Sequence, residues 1–254
     1  MERVKTAICA SAIAVGGVFL VVLVHEYGHF VAALSTGTTV PTFNVGIGPS
    51  LASIPIGGTV FHVRLLPIGG YVSFIADSRH AAQLSIEAKP DLVALYQDQS
   101  GWLSEKDAPT SLLIALGGVI SNWLSIIVMA KPLARWVTKE YLPISVQALI
   151  RQLSSGVLVG PLTIFRLFIR ASSYGPRMWL YAVLWLSVEI ADFNLLPIVG
   201  FDGFRALAAV IAGAKEGWQT IVVLGVLCSA AYLLRRAALR VIRKTEAALF
   251  QRTR

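Results

Sequence analysis

The stretch VLVHEYGHFVAAL, Val22 to Leu34, sets three ionisable side chains, His25, Glu26 and His29, in sequence that is otherwise nearly all apolar. The apolar run around it extends from roughly Thr6 to Leu34. A helical bilayer crossing takes about 20 apolar residues, so this run reads as a retained membrane helix. Ionisable groups in such a helix are costly to desolvate, and three within five residues point to a function. On a helix, positions i and i+4 share a face, so both imidazoles can reach one Zn²⁺. His25-Glu26-Tyr27-Gly28-His29 fits H-E-x-x-H, with Glu26 placed to take a proton from an attacking water and pass it to a leaving amine. With four histidines in the chain, chance produces this spacing in about one such chain in five hundred.

Composition supports a membrane setting. Of 254 residues, 56% are hydrophobic and 14% charged, where a soluble domain carries about 25% charged residues. The net charge of +8 does not point to nucleic acid, because the basic residues gather at the ends of apolar runs. Lys131, Arg135 and Lys139 follow one run, and Arg235, Arg236, Arg240, Arg243 and Lys244 follow another. Such clusters suit loops and lipid headgroups. Cys9 and Cys228 both lie in apolar runs and read as small hydrophobes.

Working outward, three further segments are long enough to cross a bilayer: roughly Ser111 to Ala130, Met178 to Leu196 and Trp218 to Leu234. A shorter stretch, Gly156 to Ile169, contains Gly160-Pro161 and Arg166 and suits an interfacial helix. Pro41 to Phe74 changes character, being rich in Gly, Pro, β-branched and aromatic residues. Within it, Leu51 to Ile56 and Thr59 to Leu65 flank Gly57-Gly58, a hairpin signal. Gly69-Gly70 marks another turn before Tyr71 to Phe74. The segment is apolar enough to dip into the membrane, where its backbone must be paired or line a cavity. Ala76 to Pro109 is polar and reads as surface. The expected fold class is an α-helical polytopic membrane protein, a single domain over 1–254, with a β-hairpin region re-entering between the first two spans.

A catalytic zinc takes three protein ligands and keeps one position open. Glu189, Asp192 and Asp202 are the carboxylates near membrane depth that could join His25 and His29. Asp202 lies in NLLPIVGFDGF, where Pro197 and Gly200 break the helix. Its other possible role is a helix N-cap before Phe204 to Ile211. His62 alternates along a strand and His80 lies in polar sequence, so neither is expected to ligate.

Four blocks together resemble one family. VHEYGHF (Val24 to Phe30), FNVGIGP (Phe43 to Pro49) with LLPIGGYV (Leu65 to Val72), GVISN (Gly118 to Asn122) and NLLPIVGFDG (Asn194 to Gly203) occur in the order found in site-2 proteases. These are intramembrane zinc metalloproteases, and the likeness is strongest to their RseP-like bacterial branch. The resemblance implies zinc ligation by His25, His29 and Asp202, and Glu26 as general base. It implies that Asn194 hydrogen-bonds the substrate or the developing oxyanion. Asn122, with Gly118 in a G-x-x-x-N element, is a further substrate-binding candidate, with close helix packing as its other role. Two features depart from that branch. Only Pro132 to Arg177 separates the second and third spans, too little for its PDZ domains. Lys and Arg also number two before the first span and seven after Leu234, which by the positive-inside rule puts both termini in the cytoplasm. The resemblance implies the reverse orientation.

The expected activity is cleavage within transmembrane segments of single-pass proteins, for regulated proteolysis or removal of signal-peptide remnants, in the bacterial inner membrane. The partners are then those substrates and the lipid bilayer, with no nucleic acid. A binder without catalysis has no need of Glu26, and a transporter calls for inverted repeats that the sequence does not carry.

Overall fold

The computed structural model describes residues 2–87, 90–137, 168–171 and 174–250. Helix α1 (Glu2–Ser35) leads into strands β1 (Thr42–Ile56) and β2 (Thr59–Val72). Two short helices, α2 (Ser78–Glu87) and α3 (Pro90–Gln97), and two single 3₁₀ turns follow. Four helices complete these residues: α4 (Ala108–Val137), α5 (Pro176–Asn194), α6 (Asp202–Gly213) and α7 (Trp218–Phe250).

Three of these helices contain stretches long and apolar enough to cross a membrane: Ser11–Ser35, Ala108–Ala130 and Trp218–Lys244. They correspond to the first, second and fourth expected spans. The expected third span, 178–196, falls on α5, which carries Arg177, Glu189 and Asp192 and is not among the three. Of the expected interfacial helix 156–169, residues 156–167 lie outside the described residues, and 168 and 169 belong to the helical piece 168–171.

Helix α4 is the centre of the packing and touches α1, α5, α6 and α7. Its Leu112, Leu116, Val119, Trp123 and Ile126 are all buried in one core. Their alternating spacing of four and three is that of a stripe along one helix face. Ala14 and Val21 of α1 and Tyr181 to Leu186 of α5 close on the same core. The crossing of α1 and α4 is very close. A side chain on Gly28 would collide with the Gly117 carbonyl, and one on Gly117 would stand 2.6 Å from the Gly28 carbonyl. Small residues at a helix contact let two backbones meet in this way. Ser121 adds a bond across the contact, its hydroxyl donating to the Val24 carbonyl at 2.7 Å.

By contrast, α7 turns much of its apolar surface outward. Ile221, Val222, Val223, Val226, Tyr232 and Leu233 are exposed along it. In water such a patch would be a liability, whereas lipid solvates it.

The strands form one sheet. Ile56 pairs with Thr59 across the Gly57-Gly58 turn, and the antiparallel hairpin runs back to Ser50 and Arg64. The first part of β1 lies inside the sheet, because Phe43, Asn44 and Val45 each have two partners. These are Phe61 to Val63 on one side and Val72 to Gly70 on the other. Gly69-Gly70, expected as a turn before Tyr71 to Phe74, lies within the end of β2, whose Gly70 to Val72 pair with β1 on one side. Arg64 braces this arrangement, donating to Asn44 Oδ1 (2.9 Å), the Gly48 carbonyl (2.8 Å) and the Tyr71 hydroxyl (2.9 Å). Phe30 of α1 meets Phe43 and Phe61 edge-on, each at 5.5 Å between ring centroids, which fixes the sheet on the helix that carries the histidines.

Ala76 to Pro109 is more organised than its polarity suggests. Ile75, Ala81, Tyr96 and Trp102 form a small buried cluster of their own. The Trp102 indole N–H donates to the Tyr96 carbonyl at 2.9 Å.

Candidate metal centre

His25, Glu26 and His29 lie on the inward face of α1 and are buried. The α-helical turn alone places the two imidazoles together, with Nε2 of one 3.3 Å from Nε2 of the other. The third group arrives from 173 and 177 positions along the chain: Asp202 Oδ2 lies 2.9 Å from His25 Nε2 and 3.1 Å from His29 Nε2. Among the described residues, His25, His29 and Asp202 are the group whose atoms converge so as to hold a metal ion.

The path of the chain explains how Asp202 gets there. Helix α5 ends at Asn194, and a tight turn follows in which Ile198 N–H donates to the Leu196 carbonyl (2.8 Å) and Phe201 N–H to the Ile198 carbonyl (3.0 Å). Phe193 and Phe201 pack edge-on at 5.4 Å across this turn. Asp202 then begins α6, so its side chain is inside the helix start and is not the N-cap, which is Phe201. Gly203 is needed beside it, because any Cβ there would run into the Leu195 carbonyl.

The donor set fits a small divalent cation. Ligand atoms about 2.0–2.1 Å from a tetrahedral centre stand about 3.3 Å apart, close to the separations found here. Two neutral imidazole lone pairs facing one another at 3.3 Å repel unless a cation or a proton lies between them. The outer ring nitrogens indicate which. His29 Nδ1 lies 2.7 Å from the Ile114 carbonyl, which only accepts, so Nδ1 carries a proton and, in the neutral ring that a metal requires, Nε2 keeps its lone pair. On the other ring, the Asn122 amide lies 3.3 Å from His25 Nδ1, while Asn122 Oδ1 is buried with no partner. Turning the amide so that Oδ1 accepts from Nδ1–H satisfies that orphan and leaves His25 Nε2 free as well. Finally, Gly118 of α4 leaves open the space at both nitrogens. A Cβ there would stand 2.5 Å from His29 Nε2 and 2.6 Å from His25 Nε2.

The centre opens into a cavity of about 440 Å³ lined by α1, the end of β2, α5 and the start of α6. Glu26 lines it beside the histidines, as a proton acceptor for a bound water must. Gly69, Gly70, Tyr71 and Val72 bring the one-sided edge of β2 to its wall. Asn194 also lines it, while its Nδ2 donates to the Ile190 carbonyl at 2.9 Å. Asn122 is fully buried behind His25, outside the wall of this cavity, with its amide at the imidazole. Of the other carboxylates, Asp192 is held by Arg235 and Glu189 faces the cavity away from the ligand set. His62 accepts or donates at Ser53 Oγ (2.8 Å) on the sheet, remote from the ligand set.

Two groups at this site carry no signal in a single sequence. The Ile114 carbonyl acts through its backbone, which any residue could supply. The Arg205 side chain lines the cavity, and only the folded position of α6 places it there.

Known proteins are similar to parts of this chain. Local matches include a Clostridium perfringens protein named "Putative zinc metalloprotease", 41% identical over 56 residues, which are 22% of this chain and 17% of that protein. A Chlamydia pneumoniae protein of the same designation is 33% identical over 114 residues, 45% of this chain and 17% of that protein. A third, from Streptococcus pyogenes, is 46% identical over 54 residues, 21% of this chain and 13% of that protein. The matched parts are thus about a sixth or less of each relative's length. The model of peptidase family M50 matches residues 13–231, which include the helix of His25 and His29, the sheet, and Asp202. This chain belongs to peptidase family M50.

Proposed function

We propose that the chain is a zinc-dependent endopeptidase that cuts a peptide bond within or beside a transmembrane segment of a single-pass membrane protein. The observation that carries this reading is the meeting of His25 Nε2, His29 Nε2 and Asp202 Oδ2, with Glu26 on the wall of the same cavity. Membership of family M50 and the names of the relatives support it.

His25, His29 and Asp202 would hold the zinc, which when bound would supply Lewis acidity toward the scissile carbonyl. Glu26 takes the proton of the attacking water and hands it to the departing amine. Asn194, on the cavity wall at the end of α5, orients the substrate backbone or donates to the oxyanion as charge develops. A helical substrate hides its carbonyls in its own hydrogen bonds, so it must open before attack. The free side of Gly70 to Val72 offers backbone partners to the opened strand. In this reading α5 crosses the membrane as a fourth span, with Glu189 turned to the cavity and Asp192 to Arg235, and the sheet dips into the bilayer beside it. The bacterial sources of the relatives point to a bacterial inner membrane.

The test is cleavage of a model single-pass substrate in detergent or bicelles by wild type and by Glu26→Gln. Loss of the base should lower the rate by about 10²–10⁴-fold while bound zinc stays stoichiometric. Equal product from the two proteins would end the peptidase reading.

A further inference from the structure

The cavity holds one carboxylate that hydrolysis does not use. Glu189 projects from α5 in a stripe with Leu186, Ile190 and Phe193, all of which line the cavity. Val18 and Val22 of α1 line the same chamber. Glu189 is half-buried, and among the described residues it has no hydrogen bond or ion pair. Asp192, nearly one turn along, contrasts with it, since Arg235 binds that carboxylate with two bonds of 2.8 and 2.6 Å. Arg205 shares the cavity but stands on α6 and makes no ion pair with Glu189. A half-buried carboxylate with no bonded partner is available to a cation that enters the chamber.

We infer that Glu189 is a specificity residue that receives the cationic head of a substrate Lys or Arg. The inference rests on the peptidase reading and names its substrate class: membrane segments that carry a basic residue close to the cut. The chamber suits such a side chain, with valine, leucine and isoleucine walls for the methylene stem and a carboxylate for its charged end.

The experiment uses paired transmembrane peptides with Lys, or the neutral isostere norleucine, at each position around the cut. Binding is measured to the full-length Glu26→Gln protein, which holds peptide without turning it over, and to the same protein with Glu189→Gln added. Glu26→Gln should bind the Lys peptide about tenfold tighter than the norleucine peptide, at one position beside the cut and not elsewhere. Adding Glu189→Gln should remove that preference, so that the Lys and norleucine peptides bind alike. Glu189→Lys should shift the preference to a Glu-bearing peptide. A Lys preference that survives Glu189→Gln, a protein with no preference to begin with, or equal loss of both peptides in Glu189→Gln would each overturn the inference. Failure of the peptidase reading is seen separately, as cleavage that does not depend on Glu26.

Discussion

At Gly118 a single methyl group would press on both metal-facing nitrogens. Gly118→Ala should therefore strip the protein of stoichiometric zinc, as read by metal analysis. Alanine favours a helix over glycine by about 1 kcal/mol, so helix content by circular dichroism should not fall with it. Asn122 acts one layer further out. Asn122→Ala removes the acceptor that orients His25 and should weaken zinc binding by about 10–100-fold in a competition titration. A role in substrate binding would instead raise KM and leave zinc affinity alone. The two histidines and Glu26 were legible in the sequence because their grouping depends on one helical turn. The job of Asn122 was not, because a buried amide reads the same whether it faces a substrate, a neighbouring helix or an imidazole.

Helix contacts hold these residues in place. The α1–α4 crossing at Gly28 and Gly117 sets the distance from His29 to the Ile114 carbonyl. Gly117→Val should force the helices apart, at a cost of about 1–3 kcal/mol in a detergent unfolding assay, and should loosen the metal as well. The Asp192–Arg235 pair ties α5 to α7, with its side chains about a third exposed, at 31% and 35%. Asp192→Asn should cost no more than about 1 kcal/mol, since exposure weakens such a pair. The same fold-wide arrangement separates Asp192 from Glu189, two acids that look alike in sequence. The hairpin at Gly57-Gly58 was legible from its turn residues and flanking β-branched residues. The packed cluster of Ile75, Tyr96 and Trp102 was not, because polar residues between its members hid a core assembled from separate short helices.

Over the whole molecule, the proposed metal joins the first helix to the sixth. Its removal leaves His25, His29 and Asp202 clustered without a cation, so the apo protein should unfold more easily. Chelation should lower the unfolding temperature, and zinc at about a hundredfold excess over its dissociation constant should restore about 2.7 kcal/mol. Magnesium should not substitute, because it prefers six oxygen ligands to imidazole nitrogen. An unchanged unfolding temperature after complete chelation would show that the cluster is held without metal.

The amino-acid sequence by itself determined the membrane setting, the H-E-x-x-H helix and the glycine-turned hairpin. Each depends on composition or on residues a few positions apart, and short-range backbone geometry follows from local chemistry. Only the tertiary structure decided how Asp202 reaches the two imidazoles, where Asn122 lies and which acid is left without a bonded partner. Those outcomes depend on how α5 and α6 turn back upon α1 and α4 across more than 170 residues, and such long-range placement comes from packing that no local pattern records.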